Sequence, residues 1–163
     1  MRRIWCKIMK SCFFIGHRDA SEKVYQPLCE AIEACIADGT NEFIVGQYGD
    51  FDRLAARALI QAKRKHPEIR LMLLTPYHPA ERETSLPEYF DDIIYPNGME
   101  TVPRRYAIVR ANRYMIDHVD YLIAYVSHPA SNAYKLLECA MRKSKETRLR
   151  ITNLANILNK NLI

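Results

Sequence analysis

Six short apolar runs punctuate this chain: SCFFIGHR, NEFIVG, IRLMLLTP, FDDIIYP, DYLIAYV and RLRITNLA. Their cores are continuous rather than alternating, so strands made from them must be covered on both faces. Longer stretches with a helical period lie between them. SEKVYQPLCEAIEACIADG begins at Ser21, a good N-cap, and has Gly39 just past its end. DFDRLAARALIQAKRK follows the second run, and VPRRYAIVRANRYMIDH follows the fourth, with Pro103 near its first turn. SNAYKLLECAMRKSK follows the fifth. This alternation predicts an α/β fold, a mostly parallel sheet of five to six strands with helices on both faces.

A chain of 163 residues suits one domain. Met9 runs directly into the first strand, so residues 9–163 are read as that domain and residues 1–8 as an N-terminal extension. The opening MRRIWCKIMK is too short and broken in its apolar part for a signal peptide, and no run approaches the ~20 apolar residues of a membrane span. Five cysteines without zinc-like spacing, three of them inside apolar runs, read as reduced structural thiols and point to the cytoplasm. The net charge of +5 is too mild to argue for a polyanionic partner. No metal-ligand set or resident cofactor is expected, and spacing alone builds no nucleophilic triad around Cys12, His17 or His128.

In open parallel sheets, ligands bind beyond the carboxyl ends of the strands. The residues there are Gly16, His17 and Arg18 after the first strand, and Gly46, Gln47, Tyr48, Gly49, Asp50 and Asp52 after the second. Pro76 follows the third strand; Ser127, His128, Ser131 and Asn132 follow the fifth. Gly46 and Gly49 let the backbone turn sharply, and the helix behind them points unpaired N–H groups outward, which suits a phosphate. Two carboxylates beside that turn oppose a phosphate, so Asp50 is read as the helix cap and Asp52 as a contact for ribose hydroxyls. These two are also the candidate catalytic acids. In the third helix Asn112 falls on the apolar face, with Arg105 seven residues earlier on the same side. Arg110 and Arg113 lie toward a more polar side, as candidates to offset phosphate charge.

CFFIGHR, FIVGQYGDFDRLAARA, VPRRYAIVRANRYMIDHVDYLIAYV and HPASNAYKLLECA, in that order, resemble the SLOG superfamily, in particular its small stand-alone bacterial and phage branch. The blocks span about residues 9–157. The superfamily includes the LOG phosphoribohydrolases and the Rossmann-like domain of the DNA-processing protein that loads recombinase onto single strands. The resemblance implies a Rossmann-like three-layer sandwich that binds a nucleotide-derived ligand. Its site would be formed by Gly16–Arg18, Gly46–Asp52, Asn112–Arg113 and the loop with Ser131 and Asn132. Relatives often pair, so a homodimer is compatible with it. LOG enzymes carry PGGxGTxxE where this chain has VSHPASNAY, so the glycine pair is missing and Tyr134 falls about where the catalytic acid would be. The DNA-processing relatives have a basic residue where Tyr48 stands.

Three readings follow, and no membrane partner enters any of them. The leading one is a binder of a nucleotide-like small molecule at the strand ends. The second is an N-glycosidic hydrolase acting on a nucleoside monophosphate through Asp52 or Asp50. The third is a single-stranded nucleic-acid binder using Tyr106, Arg110, Arg113 and Tyr114, since stacking platforms interleave aromatic and basic residues.

Overall fold

The computed structural model describes residues 9–81 and 86–161; the expected extension at residues 1–8 lies outside them. Among the described residues six strands form one sheet: β1 (Lys10–Gly16), β2 (Thr40–Val45), β3 (Arg70–Leu74), β4 (Asp92–Ile94), β5 (Tyr121–Tyr125) and β6 (Arg150–Asn153). Their order is β4-β3-β2-β1-β5-β6, and every neighbouring pair is parallel. The chain builds outward from β1 to β4 and then crosses back to lay β5 on the other side of β1. The strand order therefore reverses between β1 and β5, and a crevice opens at such a point. The expected α/β class holds, with the parallel sheet complete.

Among the described residues five α-helices complete the layers: α1 (Tyr25–Ala37), α2 (Asp50–Lys65), α3 (Ala107–His118), α4 (Asn132–Ser144) and α5 (Leu154–Lys160). Because successive side chains on a strand point to opposite faces, the continuous runs divide between two cores. Cys12, Phe14, Phe43, Val45 and Leu71 pack with α1, α2 and α5 on one face. Phe13, Ile15, Ile44, Met72 and Leu74 pack with α3 and α4 on the other.

Two boundaries differ from the sequence reading. Ser21 does cap, accepting the Lys23 N–H at 3.3 Å, but it opens a short 3-10 turn, and α1 begins only at Tyr25. The sixth apolar run does not continue as a strand through Leu154 and Ala155. Asn153 instead caps a helix, α5, with its side chain accepting the Ala155 N–H at 3.2 Å. The same side chain pairs both backbone groups of Val126, accepting from its N–H at 3.1 Å and donating to its carbonyl at 2.9 Å. Of the described cysteines, Cys12 and Cys35 are buried and Cys29 and Cys139 half-buried, all as free thiols. Among the described residues no helix is long and apolar enough to cross a membrane.

Candidate functional site

A cleft of about 410 Å³ opens at the carboxyl ends of the strands, beside the reversal between β1 and β5. Its floor is the end of β1 together with Leu74 at the end of β3 and Pro76 beyond it. One wall is α3, through Ile108 and Asn112, with Arg105 from the 3-10 turn Arg104–Tyr106 that leads into it; another is the head of α4, through Ser131, Asn132 and Ala133. The loop after β1 contributes His17, Arg18 and Asp19, and the β2–α2 turn contributes Gly46, Tyr48 and Asp52. The volume falls in the lower part of the range for small-molecule sites, and the lining mixes apolar wall with a few polar groups as such sites do.

The protein's own packing explains the two glycines at the head of α2. Gly49 precedes the helix with φ 149°, and a Cβ there would lie 2.8 Å from Arg18 Cα. This approach lets the Asp50 N–H donate to the Arg18 carbonyl at 2.8 Å, tying the loop after β1 to the start of α2. Gly46 makes room for a carboxylate, since a Cβ there would meet Asp52 Oδ2 at 2.9 Å. That oxygen accepts the Tyr48 N–H, also at 2.9 Å. Two amides of the turn are thus satisfied internally, which corrects the expectation that they wait for a phosphate. Asp50 is not the cap either. Gly49 holds that position without a side-chain bond, and Asp50, already in the first helical turn, pairs with Arg53.

At the reversal point His17 does for β5 what Asp52 does for β2. Its Nε2 accepts the Ser127 N–H at 2.8 Å and the His128 N–H at 3.3 Å. A nitrogen that accepts two N–H groups carries no proton, so the neutral ring is protonated on Nδ1. Burial, and then the neighbouring His128, lowers its pKa against the opposing pull of Asp19. Burial likewise pushes the Asp52 carboxyl up to about 6, although the Tyr48 N–H pulls it down. Asp52 therefore sits where small environmental changes alter its charge near neutral pH, whereas His17 is held in its neutral form.

Donors remain elsewhere in the cleft. Ser131 caps α4 by accepting the Tyr134 N–H at 3.1 Å, which leaves the N–H groups of Asn132 and Ala133 without a partner among the described residues. The half-buried Asn112 amide makes no hydrogen bond to a described residue. Arg18 and Arg105 are exposed at the mouth, where the Arg105 guanidinium lies 4.7 Å from the centre of the Tyr106 ring.

Of the residues expected at the strand ends, the cleft gathers Gly16, His17, Arg18, Gly46, Tyr48, Asp52, Pro76, Asn112, His128, Ser131 and Asn132. Gln47, Gly49, Asp50 and Ser127 lie behind or beside it. Arg110 and Arg113 also lie outside its lining, because α3 turns residues 108 and 112 inward, on the side of Arg105 in the preceding 3-10 turn, and those two arginines outward. Arg105 takes the place expected of them. Its register with Asn112 is legible in the sequence, whereas the roles of Asp19 and His128 depend on how the loops fold.

No family model matches the sequence, and no curated protein does. Solved structures do match in fold. DNA processing protein A from Streptococcus pneumoniae aligns with a TM-score of 0.60 at 15% identity, over 85% of this chain and 49% of that one. This chain therefore spans about half the length of the pneumococcal protein. The molybdenum cofactor binding protein from the phototrophic bacterium Rippkaea orientalis aligns at 0.57 and 13% identity, over 94% of this chain and 84% of that one. DNA processing protein A from Helicobacter pylori, solved for its single-stranded DNA binding mode, aligns at 0.53 and 14% identity, over 94% and 80%. These likenesses show that the chain shares the α/β fold of those proteins, with the parallel sheet and two helical layers described above.

Proposed function

We propose that this SLOG-like chain binds a nucleotide-derived small molecule in the cleft at the strand ends. The observation that carries the reading is the Asn112 amide, without a hydrogen-bond partner among the described residues and facing the same cleft as the Asp52 carboxylate. One Asp52 oxygen is engaged by Tyr48 N–H, and the carboxylate retains capacity to accept hydroxyl donors from a ribose. Asn112 offers a donor and an acceptor to a base edge, and Ile108 and Val109 beside it offer an apolar surface to the base. The first amides of α4, with Arg18 and Arg105 at the mouth, take the phosphate. The phosphate site thus moves from the glycine turn to the head of α4.

Thermal-shift and calorimetric titration with AMP, ADP-ribose, NAD and cyclic nucleotides test this. At least one should raise Tm and bind with micromolar to millimolar Kd, and Asn112→Ala should weaken it at least tenfold while leaving the unliganded Tm near its starting value. No response to any of them at millimolar concentration overturns the reading.

A hydrolytic version is favoured by one observation, the Asp52 carboxyl pushed up to about 6. A group that exchanges its proton near neutrality suits general acid–base assistance to cleavage of the N-glycosidic bond. Incubation with nucleoside monophosphates and chromatography for free base decides it; binding without base release leaves the binding function alone.

A further inference from the structure

His17 has one ring nitrogen committed to the protein and one that is not. The residue is 6% exposed. Its Nε2 is taken by the Ser127 and His128 N–H groups, which leaves the proton on Nδ1. That Nδ1–H makes no hydrogen bond to a described residue. Among the described residues the fully enclosed side-chain atoms without a partner are Thr40 Oγ1 and Asn41 Oδ1, at the start of β2. His17 Nδ1 is therefore not sealed in the core. It reaches open space, and the space that His17 lines is the cleft.

Hydrogen bonds link this donor to the head of α4. His128, whose N–H the ring accepts, receives at its own carbonyl the Ser131 N–H at 3.2 Å and the Ser131 hydroxyl at 2.8 Å. Ser131 then caps α4 through the Tyr134 N–H. The first amides of that helix, at Asn132 and Ala133, belong to residues lining the same cleft. A buried side-chain donor and two helix amides sharing one space form a seat for an oxyanion.

None of these three donors carries a charge. The charged groups around them offset one another: Arg18 and Arg105, exposed at the mouth, stand against the exposed Asp19 and the half-buried Asp52. His128 and Tyr125 also pack against the ring, with ring centres 4.8 and 5.7 Å away. Attraction to fixed neutral dipoles grows in proportion to an anion's charge, while the cost of stripping its water grows with the square of that charge. Such a seat takes a singly charged phosphate more readily than a doubly charged one.

Resting on the nucleotide reading of the cleft, we infer that His17 contacts the ligand: its Nδ1–H and the first amides of α4 form an uncharged oxyanion seat that favours a nucleotide with a monoanionic phosphodiester over one with a dianionic phosphomonoester. This preference also divides the binding reading from the hydrolytic one, whose substrates are monoesters.

Calorimetry with the full chain compares the four ribonucleoside 5′-monophosphates with their methyl phosphate esters, so that base and ribose are the same within each pair. The best-bound ester should be at least tenfold tighter than its parent monophosphate at pH 7.5. A phosphomonoester takes up its second proton near pH 6, so the ratio of the two affinities should shrink about fivefold or more between pH 7.5 and 6.0. Asp52→Asn, which removes that carboxyl's own titration, should leave the shrinkage in place; its disappearance assigns the effect to Asp52 and overturns the inference. In the parent chain carrying 15N-labelled histidine, His17 should show a protonated Nδ1 at pH 7.5, and saturation with the ester should move that signal. His17→Asn identifies the signal by its loss, and it keeps an N–H near the Nδ1 position, so it should bind the ester more tightly than His17→Ala does. An Nδ1 signal unmoved at saturation leaves His17 a purely structural role and overturns the inference. Monophosphates that bind as tightly as their esters at pH 7.5 overturn it too, with the nucleotide reading left standing. No binding by either member of any pair overturns both.

Discussion

Asp52 is a carboxylate kept where ionisation is unfavourable. Its folded pKa, about 6, lies above the value of 3.8 for a free aspartate, so the unfolded chain holds the ionised form more easily. Any stabilisation from the protonated form is complete below pH 3.8 and lost as pH rises through 6. Asp52→Asn keeps an acceptor for Tyr48 and never ionises. It should therefore raise stability at pH 7.5 by about 1–2 kcal/mol, allowing for partial exposure, and the gain should close as pH falls from 6 to below 4. Thermal melts across pH measure it; a pH-independent difference contradicts the assignment. A side chain that costs stability and opens onto a cleft is the kind of residue that function retains. His17 works with the opposite sign. Its folded pKa is lowered, so its contribution is present above the unfolded value near 6.5 and fades as pH falls toward and through the folded one. His17→Ala should cost about 1–3 kcal/mol at pH 8, from two amides losing their acceptor. The gap to the parent should narrow toward pH 5, as titrated melts will read.

At the scale of elements, α5 was the segment hidden from the sequence. RLRITNLA reads as one strand because Ile151, Leu154 and Ala155 are all apolar, and the break between them comes from Asn153. That side chain extends the pairing of β5 past its last residue and turns the chain into a helix in the same stroke. Asn153→Ala removes three hydrogen bonds and should destabilise the fold by about 2–3 kcal/mol. Asn153→Asp, which keeps the two acceptor roles and loses the donor, should fall between the two in chemical denaturation. The main helices were legible because each carries a long apolar stripe, and the strands because their runs are continuous. α3 shows both what periodicity can do and where it stops. It places Ile108 and Asn112 on one side, that of Arg105 in the turn before it, yet only the packed sheet reveals that this side faces the cleft while Arg110 and Arg113 face outward.

For the whole molecule, the sequence by itself determined the α/β class, the near-complete set of strands and main helices, and the gathering of strand-end residues at one edge. All of these follow from local periodicity and from the need to bury continuous apolar runs on both faces. The order of the strands, which sets the cleft between β1 and β5, is a matter of how crossovers pack and was decided only in three dimensions. Tertiary structure also decided which polar groups are free. Gly46 and Gly49 look from the sequence like a cradle for a guest, but their space belongs to Asp52 and Arg18, and the Ser127 and His128 amides belong to His17. Hydrogen bonds and charge fields join residues far apart in the chain, so no local pattern can announce them.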